Sequence, residues 1–249
     1  MKRLLPALCF VLLFALSAWI IPPQKVTVYM IGDSTMSIKE KRYYPETGWG
    51  MPFANYFDST IVIENRAKNG KSTKSFINGG WSSVAEGMKS GDYLIIQFGH
   101  NDEVPTKKSA TTEAEFKKNL EMFVASAKSK QVTPVLITPV ARRKFDSTGH
   151  IVHTHEVYAQ IVRNVARETK VALIDLDTQS QHMFQQLGDE KSKMLLNYLE
   201  PGQNPNYPKG KQDDTHFSEL GARRVAEIVL KNIADLKLEL ANHISKPKS

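Results

Sequence analysis

The sequence of 249 residues contains one cysteine, Cys9, and it lies in the apolar run near the N-terminus. The rest of the chain therefore needs no disulfide and keeps no thiol open to oxidation. Beyond residue 21 no long apolar run occurs, so neither a second membrane-directed segment nor a lipid-embedded face is expected. No internal repeat and no low-complexity linker interrupts the chain. Basic residues exceed acidic ones, 33 against 26, but they are scattered. No basic block interleaved with aromatics is present, so a nucleic-acid partner is not expected. The moderate positive charge suits a polyanionic partner, and serves general solubility equally well.

The N-terminus is distinctive. Lys2 and Arg3 precede an uncharged run from Leu4 to Ile21, and Ala15, Ser17 and Ala18 follow its apolar centre. Those are the three regions of a secretory signal peptide. Leu8 before Cys9 argues against lipidation. The expectation is a signal peptide over 1–21, removed on export to the periplasm or the medium, and one domain over 22–249 with no membrane contact after cleavage. That length suits a single well-packed core.

Five short apolar runs recur along this domain: Val26–Ile31, Ile61–Ile63, Tyr93–Phe98, Val132–Thr138 and Val171–Leu176. Their length and β-branched content predict buried strands. Between them lie helical patterns. Thr112 and Glu115 form a capping-box pair ahead of Phe116, Leu120, Phe123, Val124 and Ala127. A second helix is predicted over 155–169, with Val157, Ile161, Val162 and Val165 apolar. A third runs from about Ser218 past Leu236. Alternating strands and helices imply a parallel sheet covered on both faces. The Pro-, Gly- and Asn-rich stretch 200–210 is predicted to be a surface loop near any site that uses His216.

Small polar motifs stand where the strands end. Gly32-Asp33-Ser34-Thr35 follows the first run, Asn69-Gly70-Lys71-Ser72 the second, and Gly99-His100-Asn101-Asp102 the third. Asp213-Asp214-Thr215-His216 precedes the last helix. In open α/β sheets the crevice outside the strands' carboxyl ends collects such loops. Ser, His and Asp together are the side chains of an activated-serine site.

This set resembles the four sequence blocks of the SGNH (GDSL) hydrolase superfamily. The longer matches Gly32–Met36, Gly48-Trp49-Gly50, Asn69–Phe76, Gln97–Asp102, Thr138-Pro139-Val140 and Thr215–Ser218 are similar to rhamnogalacturonan acetylesterases. The resemblance covers essentially the whole chain after the leader. It implies a three-layer α/β/α sandwich on a five-stranded parallel sheet of flavodoxin-like order. It implies Ser34 as nucleophile, His216 as base and Asp213 as its acid. It also implies an oxyanion hole from the Ser34 and Gly70 backbone N–H groups and the Asn101 side chain. The activity implied is removal of acetyl groups from an acetylated pectic polysaccharide, with no metal or organic cofactor. Acetylated xylan, another acetylated glycan or a lipid ester are the alternative substrates, and a non-catalytic glycan-binding module is the rival of another class. Oligomeric state is not legible.

Other residues keep two readings. Asp214 competes with Asp213 as the acid. Arg142 and Arg143 could meet a uronate carboxylate; surface ion pairing is an equal contender. Trp49 and Trp81 could stack on sugars, against the default of core packing. His150, His153 and His155 suggest a metal cluster at first sight, but their irregular spacing favours solvated loop residues. Asp33, His100 and Asp102 are read as supports for their loops.

Overall fold

The computed structural model describes residues 25–245. The expected signal peptide, with Cys9, lies outside the described residues. Among the described residues no helix is long and apolar enough to cross a membrane.

Five parallel strands form one sheet: β1 (Val26–Gly32), β2 (Ile61–Asn65), β3 (Tyr93–Gln97), β4 (Thr133–Ile137) and β5 (Ala172–Ile174). Their order is β2-β1-β3-β4-β5, the flavodoxin-like order expected. Side chains alternate across a strand, so β1 feeds two cores. Val28 and Met30 face one side, and Tyr29 and Ile31 the other. Among the described residues the α-helices are α1 (Gly50–Phe53), α2 (Thr73–Ile77), α3 (Trp81–Gly87), α4 (Glu113–Ser129), α5 (Glu156–Thr169), α6 (Leu176–Ser192) and α7 (Glu219–Asp235).

On one face α7 buries Ala222, Val225, Val229 and Ile233 against the sheet, and α6 adds Leu176 and Phe184. On the other, α4 buries Phe116, Leu120 and Phe123, and α5 buries Val162 and Val165. Each such Val, Leu, Ile or Phe side chain contributes about 1.5–3 kcal/mol of transfer free energy. The capping box of α4 is present: Glu115 N–H donates to Thr112 Oγ1 (3.2 Å), and Thr112 N–H donates to Glu115 Oε2 (2.8 Å). This satisfies donors that the first helical turn leaves without partners.

Three local expectations need correction. Helix α6 has no counterpart in the predicted pattern, because its sequence is mostly polar and Gly188 breaks its path at φ +73°. Strand β5 has three residues rather than six, since Leu176 already opens α6. Val157 does not pack inward with its α5 neighbours; it is 49% exposed.

Candidate active site

The topology brings the loops after β1, β2 and β3 together at one edge of the sheet. The turn after β1 is fastened from within. Asp33 Oδ1 accepts from Thr35 N–H (2.9 Å) and Thr35 Oγ1 (2.8 Å). Burial raises the Asp33 carboxyl, and the Thr35 bonds oppose that rise. The Gly48-Trp49-Gly50 segment packs beneath: Trp49 N–H donates to the Thr35 carbonyl (2.9 Å) and Gly50 N–H to that of Met36 (3.2 Å). A Cβ on Gly48 would sit 2.0 Å from the Ser37 carbonyl oxygen, so only glycine allows this approach.

Ser34 Oγ, in this turn and bordering the cavity, lies 2.9 Å from His216 Nε2, and His216 Nδ1 lies 2.9 Å from Asp213 Oδ2. Asp213 Oδ1 also accepts the backbone N–H groups of Thr215 (2.9 Å) and His216 (3.0 Å). Burial alone would raise the Asp213 carboxyl, but the hydrogen bonds and charge of His216 and these backbone donors hold it well below the usual carboxylate range. Asp213 is thus an anion beside the imidazole. Asp214 points elsewhere: it takes Arg143 Nη1 and the Tyr198 hydroxyl, both at 2.6 Å. A hydroxyl, imidazole and carboxylate aligned in this way can pass a proton from the hydroxyl to the ring.

Gly70 and Asn101 border the same cavity of about 300 Å³ as Ser34 and His216. Gly70 has φ +75°, the left-handed region that favours glycine. Asn101 Nδ2 donates to the Lys71 carbonyl (2.9 Å), and Lys107 Nζ donates to its Oδ1. Together these set the amide's orientation and leave one amide hydrogen for a ligand. Asp102 ties this loop to α2 through Thr73 N–H (3.0 Å) and Thr73 Oγ1 (2.5 Å). Burial pushes its carboxyl up to about 6.

Of the three residues proposed to hold substrate, one lines the cavity. Arg142 does, with Nη1 on Thr215 Oγ1 (2.8 Å) and Nη2 3.5 Å from Glu103. Arg143 is corrected to a buried structural cation. Its guanidinium binds Asp214, Asp189 and Ser192 Oγ, joining α6 to the loop before His216. Trp49 is likewise corrected: it is fully buried, and Nε1 donates to Gln97 Oε1 (2.6 Å). Trp81 packs edge-on against Phe123. His155 is not a solvated loop residue. It is buried, with Nδ1 2.9 Å from Glu103 Oε2 and its ring against His100. His100 is buried too, and burial drives its pKa well below the ordinary value, so it is neutral.

Lys39, Glu46, Lys107 and Lys211 also belong to the site, although no sequence motif marks them. The Lys39 ammonium is buried and contacts the Ser34 carbonyl, Asn69 Oδ1 (2.8 Å) and Glu46 Oε1 (2.6 Å). It therefore links the turn after β1 to the loop carrying Gly70. Burial lowers its pKa and Glu46 opposes that fall. Glu46 Oε1 in turn lies 3.9 Å from His216 Nε2. These residues stand within a few positions of recognised motifs, but isolated charges on loops are too common to single out. Lys39→Met would leave Glu46 buried without its counter-ion, at a cost of about 3–5 kcal/mol. Urea unfolding should show that loss, and the double variant Lys39→Met/Glu46→Gln should recover most of it. A double variant as unstable as the sum of its parts would contradict this pairing.

A polar crevice at the carboxyl ends of a parallel sheet thus holds a serine, a histidine and an aspartate in one hydrogen-bonded row. Residues 30–224 match the model of the GDSL-like Lipase/Acylhydrolase family, and the chain belongs to that family; it is a carboxylic ester hydrolase. It is similar to rhamnogalacturonan acetylesterase RhgT of Bacillus subtilis, 40% identical over 222 residues, 88% of this chain and 94% of that protein. The probable rhamnogalacturonan acetylesterase YesY of the same species is 32% identical over 89% of this chain and 98% of its own length. The crystal structure of B. subtilis YxiM superposes with a TM-score of 0.74 at 28% identity, covering 87% of this chain and 58% of that one.

Proposed function

We propose that the protein removes acetyl groups from an acetylated glycan, rhamnogalacturonan, through an acetyl-enzyme on Ser34. The observation that carries this reading is the unbroken row Ser34 Oγ–His216–Asp213 beside Gly70 and Asn101. Ser34 Oγ attacks the ester carbonyl while His216 Nε2 takes its proton. Asp213 holds the imidazole's tautomer and stabilises the imidazolium. His216 then gives the proton to the leaving sugar hydroxyl, and water repeats the sequence to release acetate. The developing oxyanion is received by the Ser34 and Gly70 N–H groups, which have no protein acceptor among the described residues, and by the remaining Asn101 amide hydrogen.

The substrate class rests on the relatives named above and on the cavity's charge. Lys107, Arg142 and Lys211 border it, and cations suit the uronate carboxylates of a pectic chain. Acetate release should be faster from acetylated rhamnogalacturonan than from acetylated xylan in parallel assays. The reverse order would overturn the substrate and leave the esterase standing. Export follows from the signal-peptide reading of residues 1–21. Mass mapping of the N-terminus of protein collected outside the cytoplasm tests it; a retained Met1 would contradict it.

Activity should survive prolonged chelation. Glu46, Asp213 and His216 present ligand atoms within 4.8 Å of one another, but these groups are already engaged. Lys39 holds Glu46, Lys211 lies 3.3 Å from Asp213, and His216 bonds Ser34. Loss of activity in EDTA that zinc or manganese restores would defeat the mechanism.

A further inference from the structure

The loop carrying Gly70 is exposed at its apex. Lys68, Asn69 and Gly70 all face solvent, and a Cβ on Gly70 would meet no atom within 4 Å. Packing does not fix this segment, so its hydrogen bonds must. Its ends are tied: Lys68 N–H donates to the Gly32 carbonyl (3.1 Å), and the Lys71 carbonyl accepts from Asn101 Nδ2 (2.9 Å). Between them the turn closes through Lys71 N–H on the Lys68 carbonyl (3.3 Å). The peptide at its centre joins Asn69 to Gly70 and carries the Gly70 N–H. At the apex the Asn69 side chain reaches back to the turn after β1. Its Oδ1 accepts from Ser37 Oγ (2.7 Å) and from Lys39 Nζ (2.8 Å). The same two donors reach the Ser34 carbonyl, Ser37 Oγ at 3.4 Å and Lys39 Nζ more closely. Two side chains thus clasp one pair of acceptors, one on each loop. Ser37 is fully buried and the Lys39 side chain nearly so, which leaves both donors little freedom to move.

We propose that Asn69 is a positioning residue for the ester hydrolysis: its carboxamide oxygen, held by Ser37 and Lys39, sets where the Gly70 N–H lies relative to that of Ser34. The inference rests on the proposed oxyanion hole, in which both N–H groups receive the developing charge. Such donors are effective when they are in place before the reaction, and a displacement of about 1 Å can cost on the order of 10²-fold in rate. Gly70 makes the hold necessary. Glycine populates positive and negative φ about equally readily, so the peptide before it can turn over at little cost. That motion would aim the N–H away from Ser34. The anchor on Asn69 restrains the residue from which this peptide leaves. Asn69 touches no reacting atom in this role and acts through Gly70.

The test compares the full chain with Asn69→Ala, Ser37→Ala and the double variant. It reads kcat and KM for 4-nitrophenyl acetate and the inhibition constant of phenylboronic acid. In the boronate complex the Ser34 oxygen bonds to boron, His216 takes the proton, and the tetrahedral anion offers an oxygen to the oxyanion donors. Asn69→Ala should lower kcat about tenfold with KM within about twofold, and should weaken the boronate about tenfold in step. The urea midpoint should stay near the parent's, since Asn69 is exposed and Lys39 keeps its pairing with Glu46. Ser37→Ala leaves the Lys39 contact to Asn69 and should cost less. Added to Asn69→Ala it should cost little more, because the two changes remove a shared bond. Unchanged kcat and boronate binding in Asn69→Ala, a rise in KM alone, or losses that add in full in the double variant would overturn the positioning role and leave the esterase reading standing. A parent protein that cleaves the ester and is not inhibited by the boronate would overturn the oxyanion hole and this role with it.

Discussion

Ser34→Ala is expected to remove esterase turnover almost entirely, by about 10⁴-fold or more. In the proposed mechanism the lost oxygen is the attacking atom, and the neighbouring carboxylates are already engaged. Asp33 is held by Thr35, and Glu46 by Lys39. The fold should be unaffected, because the Ser34 hydroxyl bonds only His216 among the described residues. Its backbone is fixed separately, through Lys39 and the Trp49 segment. Unfolding curves of the variant should overlay those of the parent. Turnover near the parental rate, in material free of contaminating esterase, would exclude Ser34 as nucleophile.

Asn101→Ala should be the second most damaging change, lowering kcat by about 10²–10³. An oxyanion donor acts in the transition state, so KM should move little. The Asn101 amide is positioned at both ends, by the Lys71 carbonyl and by Lys107. That rigidity is what a preorganised donor requires. A variant with unchanged kcat and only a raised KM would reassign Asn101 to holding the sugar.

The sheet was readable because buried parallel strands leave a strong mark. Tyr93–Gln97 is apolar over four of its five residues, and all five are buried. Helix α4 declared itself through its capping box and apolar stripe. Helix α6 did not: the features that make it a helix are the Asp175 cap and two deep contacts, Leu176 and Phe184. Its other face is polar and carries no periodic signal.

The proposed site separates in the same way. Ser34, Gly70, Asn101, Asp213 and His216 lie in short motifs at strand ends or before a helix, where local sequence reflects local geometry. Which of two adjacent arginines would reach the cavity was not legible. Arg142 and Arg143 are equal in sequence terms, and only the packing of α6 and Asp214 turns Arg143 inward. The Lys39–Glu46 pair spans two loops and depends on the burial of both side chains. Trp49 was ambiguous for a related reason. An indole suits a sugar face or a core equally well, and its hydrogen bond to Gln97 decides for the core.

The proposed nucleophile is tested most directly by labelling it. The protein would be treated with an activated organophosphonate ester, digested, and mapped by mass spectrometry as activity is lost. One equivalent of label per chain is expected, on Ser34, with loss of activity in step with labelling and no labelling of His216→Ala. Full inactivation with the label on another residue, or a protein that stays active with Ser34 labelled, would contradict it.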